Sequence, residues 1–497
     1  MILFILLLTP LAAAGVSFAA RTRRVMEATN LIAFSVTLGL ALVLVDQVST
    51  NQSVSLWQGF LYCDSLSALV VLLTSFVSLA SAVYAIGYFR HREQTQSDEE
   101  EPTGAVTLPM LRRYYSLTPL FAFSMLLVAV ANNLGVMWVA IEGTTLASVF
   151  LVTFYGRPTS LEAAWKYAMI GGVGLSMALF GTILTYYSAH GVLGTETLSG
   201  LNWSILVANA AQFDKNAMRL AFILILLGYG TKAGIAPMHT WKPDAYSEAP
   251  VPVAAMMATA VLNCALYGLA RFYVLAARCL GTEFLSQLLI LFGLLSMAVA
   301  VPFILVQRSF RRLLAYSSID HGGIMILGLG FGGALGSLGM LLHMTFHTVA
   351  KPLLFFCAGS AQQHMGTDLF RKARGGLIQS MPITGAALLM TSFAVTGAPP
   401  FSIFQSEFTI LRAAFQGHHI LPAVLFVGFV IAIFSGFLMH ISKLVFGPSM
   451  SLRGDTDPWK TYAVVGLAVS LLILAFWLPV PIFNLVERAA QVVTAVQ

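Results

Sequence analysis

Apolar stretches close to twenty residues long follow one another almost without pause from residue 2 to residue 483, and no other feature limits the fold of this chain so tightly. A helix of that length rises 1.5 Å per residue and crosses the hydrocarbon core of a bilayer, about 30 Å thick. In lipid each backbone N–H and C=O needs a partner within the protein, which an apolar run of this length finds by being helical. The expected architecture is an all-α polytopic membrane protein of about fourteen spans: 2–20, 28–46, 62–87, 116–131, 133–154, 163–188, 219–239, 250–277, 284–306, 313–332, 335–361, 380–414, 421–446 and 461–483. Composition agrees, since 58% of the 497 residues are hydrophobic, 10% are charged and the mean hydropathy is +0.82. A water-facing surface does not tolerate those values.

The net charge of +6 is read through the loops, because cytoplasmic loops collect lysine and arginine. Placing the N-terminus outside puts most loop cations inside, from Arg21, Arg23 and Arg24 through Lys242, Arg311 and Lys460. Only Lys215, Arg219, Arg271, Arg278, Arg412 and Arg488 then face the other side. This predicts a multi-pass protein of a bacterial-type cytoplasmic (inner) membrane with both termini outside. Residues 2–20 resemble a secretory signal in length, but their arginines follow the apolar run instead of preceding it, so they read as a retained first span. Cys63, Cys264, Cys279 and Cys357 lie far apart in apolar segments without CxxC spacing, which makes them packing residues rather than metal or cluster ligands. Residues 91–105, HREQTQSDEEEPTGA, have the composition of a solvated loop. No P-loop, dinucleotide fingerprint or cysteine cluster is present, so neither a cofactor nor independent catalysis is expected in this chain, and nothing points to nucleic acid.

Against this background five charges stand inside the apolar spans: Glu142, Lys166, Lys232, Lys351 and Glu407. A charge at the bilayer centre costs roughly 2.5–3.5 kcal/mol even on the lenient insertion scale, and such residues usually line an ion or proton path. Two of them sit beside helix breakers, in GYGTKAGIAPMHTW around residue 232 and TGAPPFSIFQSEF around residue 400. Irregular backbone at membrane depth is tolerated where it lines an enclosed or wet cavity, so Lys232 and Glu407 are expected to face one. Lys232 and Glu407 are 175 residues apart, and Lys166 and Lys351 are 185 apart, which hints at two related halves. The stretch HMTFHTVAK puts His343, His347 and Lys351 at i, i+4 and i+8, one face of a helix over about 12 Å. Histidine changes charge near neutrality and a desolvated lysine can be brought to do so, which makes this face a ladder of proton carriers. HxxxH also suits a metal, but no third ligand motif accompanies it. The structural alternative is that these charges pair across helices and fix packing; it weighs most for Lys166, close to Glu162 at a span end, while Asp64 reads as a cap.

The stretches PMHTWKPDAYSEAPVPVAAMM (237–257), LYGLARF (266–272), RRLLAYSSIDHGG (311–323), HMTFHTVAKPLLFFCAGS (343–360) and GAPPFSIFQSEF (397–408) resemble, in order, the antiporter-like membrane subunits of respiratory complex I. Mrp-type cation/proton antiporters and membrane-bound group 4 nickel–iron hydrogenases share the pattern. LEAAWKYAMIGGVG (161–174) and PPFSIFQSEF look closest to hydrogenase-4 component F, with the M-type complex I subunit next. The resemblance implies two inverted five-helix repeats with broken helices 7 and 12, divided as 1–115, 116–277, 284–446 and 447–497. It also implies that Glu142 and Lys232 form the family's tuning pair, with Lys166 nearby. His321, His343, His347 and Lys351 would form the central axis, and Glu407 the terminal site. His239, Asn263 and Asp320 are auxiliary: Asn263 stands where relatives often carry a lysine, and Asp320 adds an acid able to pair with His321. In the loop before span 8, Lys242 and Tyr246 replace the more usual leucine and histidine.

The function so implied is a proton-translocating, non-redox membrane subunit of a hydrogenase or NADH/quinone oxidoreductase-type complex, working among other membrane and redox-arm subunits in the lipid bilayer. The alternatives are a subunit of an Mrp-type antiporter, moving Na+ as well as protons, and the proton-driven membrane subunit of an inorganic-carbon uptake complex.

Overall fold

A computed structural model describes residues 1–96, 106–193, 198–371, 375–448 and 457–494. Its helices are, in chain order, α1 (Ile2–Ala19), α2 (Arg23–Asn51), α3 (Ser65–Gln96), α4 (Leu108–Val130), α5 (Leu134–Val152), α6 (Pro158–Leu193), α7 (Trp203–Asn209), α8 (Lys215–Ala233), α9 (Trp241–Glu248), α10 (Val251–Met256), α11 (Leu262–Leu280), α12 (Glu283–Leu305), α13 (Phe310–Phe331), α14 (Gly333–Met365), α15 (Leu377–Ser380), α16 (Pro382–Val395), α17 (Ser402–Gln416), α18 (Ile420–Phe446), α19 (Pro458–Phe476) and α20 (Val480–Thr494). One antiparallel hairpin, β1 (Val54–Leu56) and β2 (Leu61–Cys63), joins α2 to α3 with Val54 opposite Cys63. Most of the solvated segment, residues 97–105, lies outside the described residues.

The chain is an all-α, multi-pass membrane protein, as its apolar runs require. Among the described residues eleven helices are long and apolar enough to cross a bilayer. The other expected spans fall on α8, α13 and the α16–α17 pair, which are too polar or too short to qualify by those measures. These three carry Lys232, His321 and Glu407. The apolar windows of Val251–Leu280 and Gly333–Met365 are wholly buried, so these two helices form the centre of the protein. Peripheral α18 buries only 28% of its window and turns the rest outward, where lipid is the natural solvent. Amphipathic α20 was not foreseen from the sequence; it buries Leu485, Val486, Ala489 and Val493, and Arg488 holds the Ser49 carbonyl at 2.5 Å.

Local chemistry explains both interruptions. α8 stops at Ala233 because Gly234 takes φ +69° and Pro237 has no N–H to continue the ladder. The freed carbonyls are satisfied by side chains from α9: Trp241 Nε1 donates to the Thr231 oxygen at 2.9 Å and Lys242 Nζ to the Ala233 oxygen at 2.6 Å. α16 ends at Val395 in the same manner, with Gly397 at φ +71° followed by Pro399 and Pro400, and α17 starts at Ser402. Between α10 and α11 a π-helical turn, Met257–Val261, adds one residue to the winding just before Asn263.

Three cations that the sequence counts among the charges facing either side of the membrane are buried. Arg271 lies inside α11, where Nη1 and Nη2 each donate to Asp64 at 2.7 Å and the guanidinium stacks 4.1 Å from the Trp203 ring. Arg311 donates to the carbonyls of Tyr246 and Ala249, and Lys242 is fully buried. Counting them as water-facing fails at these positions because the neighbouring helices, not water, supply the acceptors.

Candidate functional site

Lys232 occupies the last turn of α8 and is 2% exposed. Its ammonium donates to Thr145 Oγ1 on α5 at 2.8 Å and to Tyr167 OH on α6 at 2.7 Å, and lies 5.1 Å from the Tyr167 ring centre. Tyr167 is fixed in turn by Ser148 at 2.8 Å and by stacking on Trp241 at 4.5 Å. Glu142 stands one helical turn before Thr145 on α5, half-buried, with one carboxylate oxygen buried and without a hydrogen-bond partner. No ion pair joins Glu142 to Lys232 among the described residues, so any influence of the acid on the lysine acts through space.

The second half of the site is a cluster. His343, His347 and Lys351 are all wholly buried on one face of α14, and His321 on α13 leans against them. His321 Nδ1 and His343 Nε2 share a proton across 2.9 Å, and His343 Nδ1 meets Ser406 Oγ at 3.0 Å. Ser406 precedes Glu407 on α17, directly after the second break. The His347 ring centre lies 4.9 Å from that of His321, and neither of its nitrogens is hydrogen-bonded to protein. Lys351 donates to Ser317 Oγ on α13 at 2.8 Å. The Glu407 carboxyl packs against Gly397, where a Cβ would collide with Oε2.

His321, His343 and Glu407 each bring a donor atom to within 4.8 Å of the other two. The HxxxH spacing does not announce this set, because His347 is not part of it and His321 and Glu407 come from α13 and α17. Two imidazoles and a carboxylate are a set that suits a divalent transition ion. With His321 and His343 already bonded to each other, the geometry would let a proton move between the two imidazoles, with the Glu407 carboxyl close by.

The remaining candidates take different places. Lys166 is not on this buried line: it is exposed at the protein's rim, bonded to Glu162 at 2.6 Å and Asp244 at 3.1 Å, and Asp244 also holds Arg312 at 3.0 Å. Asn263 donates to Thr348 Oγ1 on α14 at 2.8 Å and leaves its own oxygen unpartnered. Asp320 forms no ion pair with His321 among the described residues, because consecutive helical residues do not face each other. Its Oδ1 is buried without a partner, as is His239 Nδ1 beside the first break. The hydroxyls of Thr145, Tyr167, Ser317 and Ser406, which hold the titratable groups, carried no signal in the sequence. Lys242 carries one, a lone lysine directly after a broken helix, though hydropathy alone reads it as a loop residue.

Residues 131–434 match the family described as NADH:quinone oxidoreductase/Mrp antiporter, transmembrane. The chain belongs to this family. A hydrogenase-4 component F homolog of Methylacidiphilum infernorum (isolate V4) is 37% identical over 422 residues, 85% of this chain and 86% of that one. Two solved structures share the fold. One belongs to the membrane-bound sulfane sulfur reductase, an archaeal respiratory membrane complex, with TM-score 0.85 and 23% identity, covering 99% of this chain and 98% of that one. The other belongs to the Mrp complex from Dietzia sp. DQ12-45-1b, also at TM-score 0.85, with 21% identity and coverage of 99% and 97%. The family thus rests on sequence, the two structures share the fold, and the buried Lys, His and Glu groups lie within the matched segment.

Proposed function

We propose that this chain is the proton-translocating, non-redox subunit of a hydrogenase- or NADH/quinone oxidoreductase-type membrane complex. The observation that carries the reading is the run of buried titratable groups, Lys232, His321, His343, His347, Lys351 and Glu407, beside two broken helices: hydroxyls hold Lys232, His343 and Lys351, His321 bonds His343, and His347 lies against His321 without a hydrogen bond of its own. None of the three lysine or histidine helices offers these groups a carboxylate ion pair among the described residues, so their charges are free to change. A charge change in a neighbouring subunit, felt through Glu142, alters the balance between ammonium and amine at Lys232; in a low dielectric such a field reaches far. The proton then moves through the histidines and Lys351 to Glu407, which exchanges it at one membrane surface. Residues 116–277 and 284–446 act as two five-helix units, each with one broken helix, in a cytoplasmic membrane with the N-terminus outside. Similarity to a hydrogenase-4 component F homolog favours redox-arm partners.

The test is to purify the chain with its partners from the native membrane in mild detergent, identify them by mass spectrometry and measure proton uptake into liposomes by the complex. Lys232→Ala and Glu407→Gln are expected to stop uptake while the complex still assembles. Unchanged uptake in both variants would sink this reading. Co-purification with Mrp-type subunits alone would move it to cation exchange, and with a soluble zinc protein to carbon uptake.

A further inference from the structure

The two halves of the path are separated at the first break, and one buried group stands between them. We propose that Lys242 is the proton-carrying link that joins Lys232 to the Lys351–histidine cluster. This rests on the proton-path reading and adds a carrier to it.

Position is the first argument. Lys242 Nζ donates to the Ala233 carbonyl at 2.6 Å, the residue directly after Lys232, and to the Ser318 carbonyl at 3.2 Å. Ser318 adjoins Ser317, whose hydroxyl receives Lys351 Nζ at 2.8 Å. One amine therefore touches the end of the helix that bears Lys232 and the turn of α13 that anchors Lys351. Asn263, also central, cannot fill this place, since an amide neither gains nor loses a proton at neutral pH.

The second argument is the choice of partners. Lys242 is wholly buried, and among the described residues no carboxylate pairs with it; its other neighbour is the Tyr246 ring, 5.8 Å away. An ammonium has three N–H donors, whereas a neutral amine keeps two and gains a lone pair. Two carbonyl acceptors satisfy the two donors of the amine and leave its lone pair, or the third N–H of the ammonium, free to exchange. The same geometry thus holds both protonation states, as a carrier requires.

The third argument is that the backbone makes room for this stem. A Cβ on Gly234 would lie 2.6 Å from Lys242 Cδ and 3.0 Å from Cε, and Gly234 already holds φ +69°. The break in α8 therefore admits the lysine side chain at the position where it reaches Ala233.

A purely structural Lys242 would only tie the two carbonyls together, and the test separates that role from proton transfer. Lys242→Arg keeps a cation and both hydrogen bonds but does not release a proton. Lys242→Gln keeps two amide donors and titrates nothing. The complex bearing each variant, purified from its native membrane, is reconstituted in liposomes and driven by the reaction of its own co-purified subunits. Internal acidification is followed by acridine-dye quenching, with Lys232→Ala and Glu407→Gln alongside. Both Lys242 variants are expected to assemble in wild-type amounts and to lose roughly tenfold or more of their proton uptake. Uptake within about twofold of wild type in Lys242→Arg, with Lys232→Ala and Glu407→Gln inactive, overturns the link and leaves the path intact. Should the arginine not fit beside Gly234, the same result in Lys242→Gln overturns it. Normal uptake in Lys232→Ala and Glu407→Gln removes the path and the link together.

Discussion

Arg271 and Lys351 are both buried cations in central helices of the same protein, yet their surroundings differ in kind. Arg271 is gripped by a bidentate carboxylate, a serine hydroxyl at 2.9 Å and a tryptophan face, while Lys351 has one hydroxyl at 2.8 Å. Arginine keeps its proton under all physiological conditions, and Asp64 compensates its charge locally. Lysine can lose its proton, and among the described residues no salt bridge locks it; Asp320 on α13 acts on it only through space. The difference teaches that burial alone does not mark a carrier: a charge meant to stay is paired, whereas a charge meant to move is held by groups indifferent to its sign.

The largest effect is expected from breaking the paired charge. Asp64→Ala strands the Arg271 guanidinium inside the protein, at a cost of about 3–5 kcal/mol, and the chain should fail to accumulate in membranes. An immunoblot of membrane content with a thermal melt of any purified protein checks this. If Lys351→Met were equally destabilising, the distinction between the two cations would collapse. The expected outcome for Lys351→Met is instead near-normal assembly, a stability change within about 1.5 kcal/mol, since the replacement is close in volume and apolar. Its proton uptake, read by dye quenching, should fall by roughly tenfold or more.

Smaller and more local is Gly397→Ala. The added methyl meets the Glu407 carboxyl and enforces a left-handed φ on alanine, a strain of about 1–2 kcal/mol. Uptake should drop more than melting temperature does, because the displaced group is the proposed exit of the path. The smallest effect belongs to the rim: Lys166→Ala removes an exposed pair worth under about 1 kcal/mol. Proton uptake indistinguishable from wild type is expected, and a large loss there would show that the path begins at Lys166 and not at Lys232.

Much of this was readable from one sequence because membrane physics is strict. Long apolar runs dictate helices, GAPP and GIAP mark the breaks, and the i, i+4, i+8 spacing puts His343, His347 and Lys351 on one face. What escaped were relations between helices. The count of charges per membrane side sets Lys242, Arg271 and Arg311 among the water-facing cations, since it does not know that a carbonyl or carboxylate from elsewhere awaits a cation. Asp320 was matched to His321 by adjacency, although neighbours along a helix point apart.

The sequence by itself therefore determined the class of fold, the places where helices must end and which titratable groups lie inside apolar helices, because those follow from the cost of exposing backbone and charge to lipid. Only the tertiary structure decided which charges are locked and which are free. That depends on partners drawn from distant helices: Asp64 from α3 for Arg271, Tyr167 from α6 for Lys232, Ser317 from α13 for Lys351. Hydrogen bonds act over about 3 Å and are blind to separation along the chain, so no local pattern announces them.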